Sequence, residues 1–166
     1  MKTKKIAFSA LLISAATLSS HLIFIPVGGA KCFPVQHAVN VLSAVLLGPG
    51  YAVMNAFLIS LLRNILGTGS ILAFPGSMIG ALAAGIIFKK TGKMHFAALG
   101  EAVGTGMLGG IAAYPFAKFM LGKEVGVFFF VIPFLVSTVG GSIIGYLILK
   151  TLERSKAITN LSDIGR

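Results

Sequence analysis

Charged residues are scarce in this sequence, and their scarcity excludes an ordinary soluble protein. Only 11% of the 166 residues are charged, against roughly a quarter in typical soluble domains. Hydrophobic residues make up 56% of the chain, and the mean hydropathy is +0.95. A water-soluble fold of this size cannot hide so much apolar surface, so lipid must surround most of the chain. The sequence therefore predicts an integral membrane protein.

Cysteine pairs and nucleotide-binding motifs are also missing. The single Cys32 excludes an intrachain disulfide, and no Cys/His spacing fits a structural zinc site. The sequence has no GxxxxGK[ST] loop, so it cannot bind ATP by that route. GTGMLG at 104–109 matches GxGxxG but lies inside an apolar run without a preceding strand, which favours helix packing through small residues. We expect no cofactor, no metal and no catalytic residue.

Six apolar runs follow one another along the chain and predict six transmembrane helices. The runs are continuous rather than alternating, which favours helices over a β-barrel. LGPGY at 47–51 and the basic FKKTGK at 88–93 separate neighbouring runs. The fold class is thus an all-α membrane protein with one transmembrane domain, residues 1–166. The runs are Ile6 to Ile25, Val35 to Leu47, Tyr51 to Leu66, Ile71 to Phe88, Phe96 to Phe119 and Val125 to Leu149.

The first run has a second interpretation, as a secretory signal peptide. It has a basic start, an apolar stretch and small residues near its end. We favour a membrane span, because the run continues to nearly full membrane length and five more apolar runs follow it.

Lysine and arginine predict the orientation. With the N-terminus inside, ten of the 14 basic residues lie on the inner side and four on the outer side. The positive-inside rule then predicts that both termini are cytoplasmic, with residues 1–5 and 150–166 as tails. The net charge of +10 is explained by basic groups that meet anionic lipid headgroups, so it does not indicate nucleic-acid binding. The outer four are Lys31, Arg63, Lys118 and Lys123.

A few polar residues interrupt the apolar chain and predict a ligand pocket. Polar and charged groups in the bilayer are costly, so they usually line a cavity or pair with each other. Pro34 suits the first turn of the second helix. Gln36, His37 and Asn40 then lie broadly on one helix face. The Gly-Gly pair before Pro34 predicts a flexible or re-entrant outer loop. The candidate substrate-binding residues are Lys31, Gln36, His37, Asn40, Arg63, Asn64 and Tyr114; the alternative is that they cap helix ends, snorkel or pair across helices.

Glu101 is the one acidic residue inside a predicted span. The helix rise places it near the inner side, so we expect it to pair across helices or to gate, with Thr105 sharing its hydrogen bonds. A role in ligand binding is the less favoured alternative, because an outer pocket is hard to reach from that depth. An intramembrane enzyme that uses His37 and Glu101 is a competing hypothesis, which their predicted positions on opposite sides of the bilayer disfavour.

Four segments together resemble the ThiW family, the thiazole-type substrate-binding S components of energy-coupling-factor (ECF) transporters. They are IPVGGAKCFPVQHAVNVL, LLRNILGTGS, LAFPGSMIGALAAG and ALGEAVGTG. The resemblance runs from about Ile25 to Leu149, and KCFPVQHAVNV is its most specific part.

The resemblance implies a six-helix S-component fold and capture of a thiamine-precursor thiazole from outside a prokaryotic plasma membrane. It also implies partners, namely a transmembrane coupling subunit and two ATPase subunits. S components offer a small-residue AxxxA face of the first helix to the coupling subunit, and here the nearest match is Ala10 to Ser14, with Ala7 close by. Two alternatives stay open: an S component for another vitamin or precursor, such as thiamine or its pyrimidine, and a structural membrane subunit without a ligand.

Overall fold

Six helices and one short hairpin form the part of the chain that the computed structural model describes, residues 2–27 and 30–155. The helix number confirms the prediction from the apolar runs. The hairpin pairs β1 (Ile25–Val27) with β2 (Ala30–Cys32) in antiparallel fashion, so the fold is not strictly all-α. The helices are α1 (Lys2–Ser19), α2 (Pro34–Leu46), α3 (Pro49–Ile65), α4 (Ala73–Thr91), α5 (Met94–Phe119) and α6 (Val131–Arg154).

Several predicted boundaries are shifted. α1 ends at Ser19 instead of Ile25, because the last residues of that apolar run form the strand β1. α6 begins at Val131 instead of Val125 and continues to Arg154. The Gly-Gly pair of the predicted outer loop, residues 28–29, and most of the predicted tail 150–166 lie outside the described residues.

Within the described residues, α5 and α6 are the two helices that are long and apolar enough to cross a membrane by length and composition. α2 has 13 residues and α3 has 17, so at about 1.5 Å per residue each is shorter than a hydrocarbon core of roughly 30 Å. The sequence pattern predicted this shortness of the second and third runs.

Proline and glycine set the helix ends as the sequence predicted. Pro34 and Pro49 occupy the first turns of α2 and α3, where a missing N–H group costs nothing. The turn between these helices contains Gly48 with a φ of 91°. That positive φ is favourable only for glycine, so the LGPGY turn depends on it.

The short helix α2 lies at the centre of the bundle. It packs against each of the five other helices, and every residue of α2 is buried or half-buried. Gly141 of α6 lets that helix approach closely, since a Cβ at this position would lie 2.6 Å from the Cβ of His37. Close packing by small residues is typical of membrane helices.

α5 is interrupted near its middle. It is α-helical to Val103, π-helical over Gly104–Gly109, and α-helical again from Gly110. The π-helical segment coincides with GTGMLG. Gly104 and Gly109 pack against α4, where a Cβ at Gly104 would lie 2.8 Å from the Cα of Gly80, and Gly106 packs against Leu135 of α6. The glycine motif therefore serves helix packing, as the sequence analysis expected. π-Helical segments are often found at functional sites.

Candidate functional site

A cavity of about 720 Å³ lies at the end of the bundle that carries the β-hairpin. Its lining includes residues from the hairpin and from the loops before α4 and before α6, so these three connections lie at the same end, which we call the hairpin end. The volume falls within the roughly 300–1,000 Å³ that is usual for small-molecule sites. The aromatic lining residues are Phe33, Phe129, Phe130 and Phe134, and the polar ones include Lys31, Gln36, His37, Arg63, Ser77, Thr105, Lys123, Glu124 and Ser137.

Arg63 forms one wall of the cavity. Its side chain is only 3% exposed, and its guanidinium donates hydrogen bonds to Oε1 of Gln36 and to the carbonyl oxygen of Thr68, the latter at 3.1 Å. The guanidinium also stacks on the ring of Phe33 at 3.6 Å from the centroid. Arg63 therefore fixes α2, the loop after α3 and the segment before α2 relative to one another.

Behind the cavity, a network of buried hydrogen bonds connects four helices. From Arg63 it runs to Gln36, whose Nε2 donates to Oγ of Ser60 at 3.0 Å. Ser60 and Ser77 are joined by a hydroxyl–hydroxyl bond of 3.0 Å. Asn40 Nδ2 then donates to the carbonyl oxygen of Ser77 at 3.3 Å. Partnered polar groups of this kind give a buried site a defined geometry.

Glu101 ends this network and is fully buried. Its Oε1 lies 2.9 Å from Nδ1 of His37, 2.9 Å from Nδ2 of Asn40 and 3.0 Å from Oγ1 of Thr105. Thr138 of α6 donates to the backbone carbonyl oxygen of Glu101 at 3.2 Å. The carboxylate thus joins α5 to the polar face of α2.

The predicted separation of His37 and Glu101 is wrong. The two side chains are in direct contact, so Glu101 lies immediately behind a residue that lines the cavity. Counting depth along α5 assumed that every helix begins at a membrane surface. α2 is preceded by the hairpin and has only 13 residues, so this assumption does not place His37.

The structure brings together most of the predicted pocket residues, but not all of them. Lys31, Gln36, His37 and Arg63 line the cavity, and Asn40 lies behind it in the network. Asn64 and Tyr114 are outside the lining: the amide of Asn64 bonds to the carbonyl oxygens of Ser60 and Ser70. Tyr114 instead lies beneath the ammonium group of Lys118.

The aromatic residues that line the cavity were not among the predicted pocket residues. The apolar pattern predicts that VGVFFFVIPF forms the first turns of the sixth helix, but residues 125–130 form a loop that contributes to the cavity lining. Three consecutive phenylalanines before a proline were the available signal. Lys123, which the sequence places on the outer side without a role in the pocket, also lines the cavity.

Ala7, Ala10 and Ser14, the predicted contact with a coupling subunit, are all exposed along α1. The hydroxyl of Ser14 is turned back onto its own helix, where it donates to the carbonyl oxygen of Ala10 at 2.8 Å. The face is therefore small and nearly apolar, as close helix packing requires. Its role in docking stays a prediction.

Cys32 provides a test of how tightly the hairpin covers the cavity. Its buried thiol donates a hydrogen bond to the carbonyl oxygen of Pro133 at 3.1 Å, and burial raises the pKa of this thiol because desolvation disfavours the thiolate. We expect a maleimide to label Cys32 roughly tenfold more slowly at neutral pH than an exposed cysteine, with the rate rising at higher pH. The exposed reference is Lys31→Cys in a Cys32→Ala background, and equal labelling rates would contradict the closed hairpin.

The cavity has the features of a binding site, and comparisons with known proteins identify the family. Residues 6–155 match the family described as thiamine-precursor transporter protein (ThiW). The chain belongs to the ThiW family. It is therefore a membrane transport protein and not an enzyme, and within the described residues no group of three or more His, Cys, Asp and Glu side chains could hold a metal ion.

A solved structure shares the fold of this ThiW-family chain. It is described as "Structure and mechanism of the S component of a bacterial ECF transporter", and the similarity has a TM-score of 0.70 with 16% sequence identity, covering 95% of this chain and 97% of that chain. At this identity the similarity establishes the S-component fold and not the ligand. No functionally curated protein matches the chain significantly.

Proposed function

We propose that this chain is the substrate-binding subunit of an ECF-type importer and that its ligand is the thiazole precursor of thiamine, hydroxyethylthiazole or a close relative. The observation that carries the proposal is the cavity at the hairpin end, whose lining combines four aromatic rings with neutral hydrogen-bonding side chains. An uncharged heterocyclic alcohol needs both surfaces: apolar contact for the ring and a few well-placed polar partners for the hydroxyl.

The neutral partners are supplied mainly by α2. The side chains of Gln36 and His37 line the cavity. Gln36 is held by Ser60 and Arg63, and Nδ1 of His37 is held by Glu101. A polar group that is already held in place loses little conformational freedom on binding, which favours affinity. The roles of these residues are proposals, as is the role of Lys31 in an outer gate.

A phosphorylated thiazole is a second candidate, and one observation favours it. Three basic residues, Lys31, Arg63 and Lys123, line the cavity together with a single acidic one, Glu124. Guanidinium and ammonium groups are the usual partners of phosphate. The alcohol remains the first choice because the guanidinium of Arg63 is already bonded to Gln36 and Thr68.

Transport requires partners that the chain does not supply. We propose that the exposed small-residue face of α1 docks on a transmembrane coupling subunit and that two ATPase subunits drive release of the ligand into the cytoplasm. In this assembly the hairpin end faces outward and both termini face the cytoplasm of a prokaryotic cell, in agreement with the distribution of lysine and arginine.

Calorimetric titration of the detergent-solubilised protein tests the ligand directly. We expect hydroxyethylthiazole to bind saturably, and the double variant Gln36→Ala, His37→Ala to weaken binding at least about 30-fold, since two hydrogen bonds are removed. The phosphorylated thiazole, thiamine and the pyrimidine precursor are titrated alongside. The matched control is Lys118→Ala, which changes an exposed basic residue outside the cavity. The thiazole assignment would be refuted if the folded protein preferred another of these compounds or bound none of them.

A further inference from the structure

The imidazole of His37 has two different surroundings. Its Nδ1 lies 2.9 Å from Oε1 of Glu101, whereas Nε2 has no hydrogen-bond partner among the described residues, and the side chain lines the cavity. Whatever Glu101 does to Nδ1 therefore determines which hydrogen bond Nε2 can offer to a ligand, because a neutral imidazole has one donor and one acceptor nitrogen.

The other contacts of Glu101 show that its Oε1 accepts hydrogen bonds. Asn40 Nδ2 and the hydroxyl of Thr105 both donate to this oxygen, at 2.9 Å and 3.0 Å, whereas Oε2 has no partner among the described residues. An oxygen that already accepts two hydrogen bonds acts as an acceptor towards Nδ1 as well. The proton between Glu101 and His37 must then reside on Nδ1.

Nε2 of His37 is the nitrogen left for a ligand. A neutral imidazole with its proton on Nδ1 has a lone pair on Nε2. That nitrogen has no hydrogen-bond partner among the described residues, and the side chain lines the cavity, so the lone pair is free to accept a hydrogen bond.

We infer that Glu101 is a positioning residue that holds His37 in the Nδ1-protonated tautomer, so that Nε2 accepts a hydrogen bond from the hydroxyl of the ligand. The site then selects ligands whose side chain ends in a donor, an alcohol, over ligands whose side chain can only accept. The identity of the alcohol rests on the proposed function, but the tautomer does not.

The tautomer is measured first, without any ligand. Nitrogen-15 NMR of histidine-labelled protein resolves protonated from unprotonated ring nitrogens, and His37→Gln identifies the signal among the three histidines of the chain. The expected spectrum of the unsubstituted protein has a protonated Nδ1 and an unprotonated Nε2. In Glu101→Gln the other tautomer should gain population, since a glutamine amide can donate to Nδ1 as well as accept from it. A protonated Nε2 in the unsubstituted protein would overturn the inference.

Ligand selectivity is measured second, with hydroxyethylthiazole and its methyl ether, which lacks the donor proton. The unsubstituted protein should prefer the alcohol about tenfold, the worth of one hydrogen bond. In Glu101→Gln this ratio should fall towards one, because Nε2 can then donate to the ether oxygen. An unchanged ratio in a folded Glu101→Gln variant would overturn the positioning role.

The matched control is Asn55→Ala. Asn55 is also fully buried and hydrogen-bonded, to Ser43 at 3.0 Å, but it does not line the cavity. This variant should leave the alcohol-to-ether affinity ratio unchanged. An equal loss of selectivity in Asn55→Ala would show that Glu101 has only a general structural role. Failure of both thiazoles to bind the unsubstituted protein would refute the proposed ligand, while the tautomer spectrum would still decide the inference about Glu101.

Discussion

Replacing Gly80 with alanine should abolish ligand binding and lower the free energy of unfolding by about 3 kcal/mol, the combined effect of overpacking and broken buried hydrogen bonds. An added Cβ would lie 2.6 Å from Oε2 of Glu101 and would overlap the hydroxyl of Thr105. Glu101 cannot move away without losing its bonds to His37 and Asn40. Calorimetry and thermal unfolding in the same detergent measure the two effects.

Gly140→Ala is the matched control for this substitution. Gly140 also lies inside a helix, but a Cβ there would meet only the Cβ of Pro34, at 3.8 Å, which is an ordinary contact. Since alanine has the higher helix propensity, this variant should be neutral or slightly more stable. Unchanged binding by Gly80→Ala would show that α4 and α5 tolerate separation at the level of Glu101, and it would contradict the tight packing described above.

Replacing Arg63 with leucine should weaken ligand binding at least about 100-fold, since the two hydrogen bonds lost are charge-assisted. The substitution also removes the stack on Phe33. The effect is large because one side chain holds α2 and the loop after α3 against the cavity. Affinity is measured by calorimetry, and deuterium exchange of residues 66–70 should rise in the variant.

Lys118→Leu removes a positive charge at an exposed position that does not line the cavity, so it controls for the change in net charge. It should retain the affinity of the unsubstituted protein. If the affinity of the Arg63→Leu variant stays within roughly threefold of that value, Arg63 does not contribute to ligand binding.

The polar face of α2 could be predicted because it depends only on local spacing. Pro34 fixes where the helix begins, and residues three and four apart then share a face. The family resemblance rested on the same segment, and the match over residues 6–155 confirms it. The six apolar runs likewise gave the helix number, since continuous hydrophobicity in a membrane chain leaves few other structures.

The relative depth of the helices could not be predicted from the sequence. Contact between Glu101 and His37 depends on how α2 and α5 are offset along the bundle, and no local pattern records that offset. Tyr114, a predicted pocket residue, lies outside the cavity lining for a different reason. The π-helical segment at 104–109 changes which residues of the second half of α5 face inward. A regular helix drawn from the sequence has no such phase change.

The enclosure of α2 by all five other helices has a consequence for how this protein responds to its membrane. A helix of 13 residues in direct contact with lipid would suffer hydrophobic mismatch and would tilt or move as bilayer thickness changed. α2 is screened from the acyl chains, so a thicker or thinner bilayer acts on the outer helices while the helix that carries Gln36 and His37 keeps its surroundings. Ligand affinity should therefore stay constant across vesicles of short and long lipids, even where thermal stability does not.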